Sequence, residues 1–513
     1  MNTTPSDSSA SAPPPFQAIA DLVRRHAAAR PRQRALVQGE RSADWLQLDA
    51  MMDRIAASLQ RDRVQPNQAI AICAANSMEY AALFLGALRA GVAVAPLPTG
   101  ALPSQLATMV ADSGARHLFV DNGVPAFETG ARRIALDGTD ARSFADWLAP
   151  EGARPRSVQT QPQWPFNIIY SSGTTGTPKG IVQPHAMRWA HVARAENYGY
   201  GRDTVTLIAT SLCSNTTLVC FFPTVAKGGT VVLAAPKFDA ATYLALAENV
   251  RATHAMLVPV QYRRIMALPE FDDYNLSSFV MKFCTSAPFH AALKADVLAR
   301  WPGGLVEFYG MTEGGGSCIL EAHNFPDKLH TVGKPAEGHD MRLIDGDERE
   351  LPAGEIGELV GRSPSMMTGY HKQPGQTREA EWYDSAGDRY IRTGDVGHFD
   401  QDGFLTLMDR RKDMVISGGF NIYPSDIEAV LRQHPAVADA AVVGVPSKEW
   451  GETPVAFVVP VAGASVSAQE IQAWANRQLG KTQRLSGLRF TGELARSEIG
   501  KVLKRQLREA WDS

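Results

Sequence analysis

The sequence has little cysteine, and none of it is arranged for disulfide or metal chemistry. Its five cysteines in 513 residues (Cys73, Cys213, Cys220, Cys284, Cys318) are scattered and odd in number. They show no Cys-x-x-Cys or His-rich spacing, so the expectation is reduced thiols in a cytoplasmic protein, with no disulfide framework and no zinc site. Charge of one sign is also missing. A formal net charge of −3 gives no electrostatic case for nucleic acid or an anionic membrane surface. Long apolar runs are absent: the longest stretch, Ala81 to Pro98, is broken by Arg89 and dotted with Gly and Pro. That argues against stable membrane insertion and leaves peripheral contact open. Residues 1–15, MNTTPSDSSASAPPP, have neither a basic start nor an apolar centre. They read as a disordered tail and not a signal peptide. What remains is an ordinary globular composition, long enough for two or more domains.

The pattern along the chain is of strands alternating with helices. Asn76-Ser77-Met78-Glu79 reads as a capping box opening a helix to about Ala90. It leads into a short buried strand at 92–96. Asp112-Ser113-Gly114 marks a turn before the strand His117–Val120, and Asn167–Tyr170 and Thr230–Leu233 read as further strands. The prediction is an α/β protein with layered, largely parallel sheets. The last hundred residues differ. Ser425–Glu428 and Ser467–Glu470 have capping-box spacing, and the strand-like runs Ala440–Val445 and Val455–Val459 lie between them. This predicts a small α+β unit. The charged run Asp409-Arg410-Arg411-Lys412-Asp413 separates two apolar segments, so the expected boundaries are a large domain over 16–411 and a small one over 412–513.

Chemistry concentrates first at Tyr-Ser-Ser-Gly-Thr-Thr-Gly-Thr-Pro-Lys-Gly, residues 170–180, directly after a predicted strand. Gly173, Gly176 and Gly180 allow close backbone approach to a ligand, and consecutive turn amides can form an anion-binding nest. Ser171, Ser172, Thr174, Thr175 and Thr177 add hydroxyls, and Lys179 adds a point charge. The combination suits a triphosphate. It is not a Walker A loop, because Pro178 precedes the lysine and Gly180 follows it.

This loop resembles the signature of the adenylate-forming enzymes: acyl- and aryl-CoA synthetases, peptide-synthetase adenylation domains and firefly-type luciferases. Four further motifs agree in order and spacing: Tyr309-Gly310-Met311-Thr312-Glu313, Arg392-Thr393-Gly394-Asp395, the run Asp409 to Glu428, and Gly500-Lys501-Val502. The likeness covers about residues 20–510 and stands nearest to bacterial acyl-CoA synthetases. It implies a mobile C-terminal domain and site roles as follows. The loop through Ser171, Ser172, Gly173, Thr174, Thr175, Gly176 and Lys179 binds the nucleotide, together with Gly310 and Thr312. Glu313, with Thr174, holds Mg²⁺, a hard cation suited to oxygen ligands. Tyr309 stacks on adenine, the alternative being a core aromatic. Asp395 accepts the ribose hydroxyls, the alternative being a turn cap. Arg410 reaches ribose or phosphate, the alternative being a surface ion pair. Lys501 bridges the carboxylate substrate and the α-phosphate, although a lone lysine near a C-terminus is ordinarily a solvated charge.

The same resemblance implies a two-step reaction. A carboxylate attacks the α-phosphorus of Mg-ATP, and a thiol then displaces AMP from the acyl-adenylate. Lys412 occupies the hinge position between the two steps, and Gly418-Gly419 would line a coenzyme A tunnel. Many relatives carry His near the position of Cys213, and the stretch Thr210–Asn215 lacks the Asp that amino-acid-activating domains use. Gly314-Gly315-Gly316 follows Glu313 and suggests room where acetate-type enzymes place an aromatic. The expected acid is therefore apolar and larger than acetate: medium-chain, alicyclic or aromatic. Cys213, Asn215, Ser286, Ala287 and Gly314 are the acyl-pocket candidates. The chain runs 12 residues beyond Lys501 without a carrier domain, so the acceptor is expected to be external coenzyme A. The alternatives are a free acyl carrier protein or a nucleotide-binding homologue without turnover, and a luciferase-type outcome is not separated by motif. A homodimer is compatible with this reading.

Overall fold

The computed structural model describes residues 14–138, 143–171, 178–417, 420–448, 450–480, 483–497 and 500–512. The chain forms two compact units. One comprises the chain up to Lys237 with Ala252–His254 and Met367–Lys372. The other comprises Phe238–Arg251, Ala255–Met366 and the chain from Gln373 onward.

In the first unit, short runs of small and branched residues become fully covered strands. Ala69–Cys73 is buried at every position, as expected of a parallel strand with both faces packed. It lies in a seven-stranded sheet in the order Gly369–Tyr370, Lys179–Pro184, Pro165–Ser171, Ala93–Pro96, Ala69–Cys73, His117–Val120, Arg132–Ala135. The last five are parallel, and Lys179–Pro184 returns antiparallel on Pro165–Ser171. Val205–Ile208, Thr230–Leu233 and Arg34–Gln38 form a second parallel set. The α/β expectation holds, and in this unit the sheets are largely parallel.

The helix Met78–Arg89 is buried nearly all round. Its N-cap is Ser77, whose hydroxyl accepts from Tyr80 N, one residue later than the predicted cap at Asn76. Asn76 instead pins a neighbouring loop, donating to Thr210 O at 2.8 Å and accepting from Leu212 N at 2.7 Å. Arg89, which interrupts the apolar run in sequence, is buried against Asp49 and Asp53 at 2.5 and 2.9 Å. A buried charge is tolerable only when paired in this way. Among the described residues no helix is long and apolar enough to cross a membrane.

In the second unit, the parallel strands Met281–Cys284 and Gly304–Gly310 are followed by Ser317–Glu321, antiparallel to the latter. An antiparallel sheet runs Asp340–Ile344, Gly357–Arg362, Arg389–Phe399, Glu381–Tyr383, with Leu405–Arg410 also paired to Arg389–Phe399. The C-terminal part of this unit is a separate small sheet: Phe420–Ile422, Val415–Ser417, Gly451–Pro460, Val437–Ser447, with Gly487–Phe490 beside Gly451–Pro460. The period-2 alternation sorts its side chains. Val442, Ala456 and Val458 pack with Ile427, Leu431, Ile471 and Ala475 from two helices. Ala441, Val443, Val455 and Phe457 pack on the other face with Leu507 of the helix Lys504–Asp512. The predicted small α+β unit is therefore present, with its sheet covered on both faces.

Of its two predicted capping boxes, Ser467–Glu470 forms as expected. Ser425–Glu428 does not, because Pro424 starts the helix Pro424–Leu431 two residues earlier than that box requires, after the N-cap Tyr423. Ser425 N is satisfied instead by Asp409 Oδ2 at 2.9 Å. Glu428 turns to Val442 N at 2.9 Å and to Lys504 Nζ at 3.2 Å.

Candidate active site

Ligand crevices in α/β folds form at the carboxyl ends of parallel strands. In the second unit these ends carry the Tyr309 motif and Ser286-Ala287. The strand Gly304–Gly310 turns back at Met311–Gly316 into Ser317–Glu321, with Gly310 opposite Ser317. Thr312 and Glu313 are half-buried on that turn. Two contacts fix it: Gly314 N to Met311 O at 3.0 Å, and Ser363 Oγ to Gly314 O at 2.7 Å. Ser286, just past Met281–Cys284, is held at φ +84. Such strain in a non-glycine residue is sustained only where the surroundings fix it, often at a functional site.

The glycine run has a packing reason that sequence could not supply. A Cβ on Gly315 would lie 2.4 Å from Ile391 Cβ, and one on Gly316 would lie 2.1 Å from Met341 Sδ. Gly361, across from them, would meet Gly315 O at 1.6 Å. These glycines let two backbones touch; they do not open space. The inference of room drawn from Gly314-Gly315-Gly316 is corrected for Gly315 and Gly316.

Tyr309, Asp395, Arg410 and Lys501 come together. The Tyr309 ring packs against the cluster of Cys318, Met341, Leu343, Leu359 and Leu405, and its hydroxyl donates to Asp395 Oδ2 at 2.7 Å. Burial first, and the Asp395 charge second, push that phenol well above its ordinary pKa. Asp395 pairs in register with Arg410 across the antiparallel strands Arg389–Phe399 and Leu405–Arg410. Arg410 Nε lies 2.9 Å from Asp395 Oδ1. Upstream, Thr393 Oγ1 donates to Leu359 O at 2.9 Å and accepts Asp395 N at 3.0 Å, fixing the turn that aims the carboxylate.

Lys501 reaches this pair from a tight hairpin. Leu503 N bonds Ala495 O at 2.8 Å, Gly500 N bonds Ser497 O at 2.8 Å, and Ser497 N bonds Lys501 O at 2.8 Å. Gly500 takes φ +78, which glycine adopts without steric cost. Burial pushes the Lys501 ammonium down to about 8, with Arg410 and Lys412 adding to the shift and Asp395 and Asp413 opposing it. Lys412 itself is exposed, on the turn where Asp413 N and Met414 N both bond Arg410 O, at 2.9 and 3.0 Å. Asp413 is held by Arg508 Nη2 at 2.9 Å.

The remaining candidates lie in the first unit or outside the description. Ser171 is the last residue of its strand and faces Lys179 in register. The Lys179 ammonium sits 5.1 Å over the Tyr370 ring. Cys213 and Asn215 follow the carboxyl end of Val205–Ile208. Ser211 Oγ donates to Cys213 Sγ at 3.1 Å, and Asn215 opens the helix Asn215–Lys227 capped by Ser214. Ser172, Gly173, Thr174, Thr175, Gly176, Gly418 and Gly419 lie outside the described residues. Sequence reasoning quoted Thr393 in its motif without giving it a role and passed over Asp439 and Arg496, whose ion pair is 57 positions apart in sequence.

A mixed α/β scaffold, a Tyr–Asp–Arg cluster and a half-buried lysine brought to it by a C-terminal hairpin fit a nucleotide-using α/β enzyme. The AMP-binding enzyme family model matches residues 23–371, and the AMP-binding enzyme C-terminal domain model matches residues 426–501. A feruloyl-CoA synthase of Amycolatopsis is 32% identical over 488 residues, covering 94% of this chain and 97% of that protein. A fatty acid–acyl-carrier-protein ligase of Streptomyces coeruleorubidus is 29% identical, covering 97% of each. Among solved structures, ATP-bound MatB from Rhodopseudomonas palustris superposes with a TM-score of 0.87 at 28% identity, over 96% of this chain and 99% of that one. The chain belongs to the AMP-binding enzymes, the adenylate-forming superfamily, and stands with its AMP-forming acid–thiol ligases.

Proposed function

We propose that this enzyme is an ATP-dependent acyl-CoA ligase acting on an apolar acid, medium-chain, alicyclic or aromatic. The observation that carries the reading is the half-buried Lys501 on its hairpin, within electrostatic reach of the Asp395–Arg410 pair. In the first step a carboxylate oxygen bonds to the α-phosphorus of ATP, and the bond to the β-phosphate oxygen breaks. Pyrophosphate leaves with the electron pair. Positioning and charge neutralisation do most of this work. Lys501 bridges the attacking carboxylate and the α-phosphate, Asp395 receives the ribose hydroxyls, Tyr309 lies against adenine, and Arg410 reaches ribose or phosphate. The loop Ser171–Lys179 cradles the β- and γ-phosphates. Mg²⁺ would be held by Glu313, with Thr174, and by the nucleotide's own phosphates, which is this ion's usual habit.

In the second step the thiol sulfur of coenzyme A bonds to the acyl carbon, the acyl–phosphate bond breaks and AMP departs. The small domain begins at Lys412 and turns about it between steps, withdrawing Lys501 and presenting Gly418-Gly419 to the pantetheine arm. An aromatic acid gains support from the feruloyl-CoA synthase likeness. A free acyl carrier protein is the second reading for the acceptor, supported by the carrier-protein ligase likeness. Cys213, Asn215, Ser286, Ala287 and Gly314 border the acyl group.

A panel of acetate, C6–C10 acids and aryl acids, read by coenzyme A-dependent AMP release, tests the reading. The expected result is turnover with one of the larger acids. A clear preference for acetate defeats the substrate class, and AMP release that needs carrier protein instead of coenzyme A defeats the acceptor.

A further inference from the structure

Asp439 is the meeting point of three guanidinium groups. It stands on the strand Val437–Ser447, with its carboxylate mostly covered. Oδ2 accepts from Arg496 Nη2 at 2.5 Å and from Arg263 Nη1 at 3.4 Å. Arg432 Nε lies 3.7 Å from Oδ1. The three arginines have different origins: Arg432 follows the helix Pro424–Leu431, Arg496 belongs to the hairpin that bears Lys501, and Arg263 lies on the helix Pro259–Met266.

Arg496 uses both arms. One holds Asp439, and Nη1 donates to Gly500 O at 2.7 Å, the peptide just before Lys501. A planar guanidinium fixes two partners at once, which an ammonium cannot do with the same geometry. Gly500 also abuts the start of the Arg263 helix: a Cβ there would come 3.1 Å from Val260 Cγ1. A single carboxylate thus links the lysine hairpin to a helix whose Arg263 stands 176 positions before Asp439 in sequence.

We infer that Asp439 is a positioning residue for Lys501, acting through Arg496, and that its pair with Arg263 fastens the C-terminal module in the adenylate-forming arrangement. The inference rests on the adenylation role proposed above for Lys501. If the module turns about Lys412 between steps, the Arg496–Asp439–Gly500 set travels with it, because all its members are on the module. The Arg263–Asp439 pair must break. Its contribution therefore falls on the first half-reaction alone.

The test measures both half-reactions in the full-length protein, using whichever acid of the panel above the wild type activates fastest. Pyrophosphate exchange into ATP reads adenylation. Thioester formation from the chemically prepared acyl-adenylate and coenzyme A reads transfer. Arg263→Ala, at a half-exposed position, should slow adenylation by about 2–5-fold, the scale of a surface ion pair. Arg496→Lys and Asp439→Asn should slow it by about 10–100-fold, because small misplacements of a reacting group are costly. Transfer should be unchanged in all three, and Arg263→Lys should restore adenylation. Equal loss in both half-reactions, or undiminished adenylation in Arg263→Ala and Arg496→Lys, overturns the inference. A wild type that exchanges pyrophosphate with no acid of the panel above overturns the ligase reading itself, and the inference with it.

Discussion

Asp395 and Arg410 face each other across adjacent antiparallel strands, in register at their Cα atoms, with Arg410 Nε 2.9 Å from Asp395 Oδ1. The other oxygen receives the Tyr309 hydroxyl at 2.7 Å. Each carboxylate oxygen has two lone pairs, so both remain able to accept a further donor while the group is held from two sides. That is the arrangement needed to receive two vicinal hydroxyls without reorienting. Asp395→Asn should raise the KM for ATP by about 10–100-fold, the scale of hydrogen bonds to a charged group. Steady-state kinetics at varied ATP check this, and an unchanged KM would remove Asp395 from the nucleotide site.

Tyr309→Phe isolates the smaller half of the same arrangement. It keeps the ring in its apolar cluster and deletes only the hydroxyl, which donates to Asp395 and also contacts Thr393. The expected effect is about 1 kcal/mol in ATP binding, the typical net value of one hydrogen bond. Isothermal titration with ATP measures it.

The depressed pKa of Lys501 gives a pH prediction with a definite sign. The ammonium is the useful form, and burial brings its pKa down to about 8. In the free enzyme, kcat/KM for ATP in the adenylation half-reaction should therefore fall as pH rises through about 8. Transfer from a supplied acyl-adenylate should lack that limb. The stability linkage has the matching sign. The folded pKa lies below the unfolded value near 10.5, so the unfolded chain binds more protons between the two values. This group's contribution to stability rises with pH across that window.

The packing account of the glycine run is testable by stability. Gly315→Ala and Gly316→Ala should destabilise by about 1–3 kcal/mol, the usual cost of overpacking, with acid preference unchanged. Thermal melts beside the acid panel decide between close packing and an open pocket.

Much of the fold was legible because local signals agreed with the tertiary result. His117–Val120 and Thr230–Leu233 are strands at the predicted residues, and the strand-like runs Ala440–Val445 and Val455–Val459 lie in the strands Val437–Ser447 and Gly451–Pro460. Capping spacing misled where a nearby residue had the stronger claim: Ser77 displaced Asn76 as N-cap, and Pro424 moved the other helix start so that Tyr423 displaced Ser425. The site was legible in its motifs, since Tyr309, Asp395, Arg410 and Lys501 do come together. It was illegible where function passes through contacts distant in sequence. Nothing near Asp439 announces that it would gather Arg263, Arg432 and Arg496, and three adjacent glycines look alike whether they make room or touch backbone.

The central claim is that Lys501 serves adenylate formation and leaves the transfer step to other groups. Lys501→Ala tests it most directly, with both half-reactions measured on the same preparation. The account predicts a loss of about 10²–10³-fold in acid-dependent pyrophosphate exchange, the cost of one preorganised transition-state contact. Conversion of supplied acyl-adenylate to thioester should continue at the wild-type rate. Equal loss of both activities, or adenylation that survives intact, would contradict it.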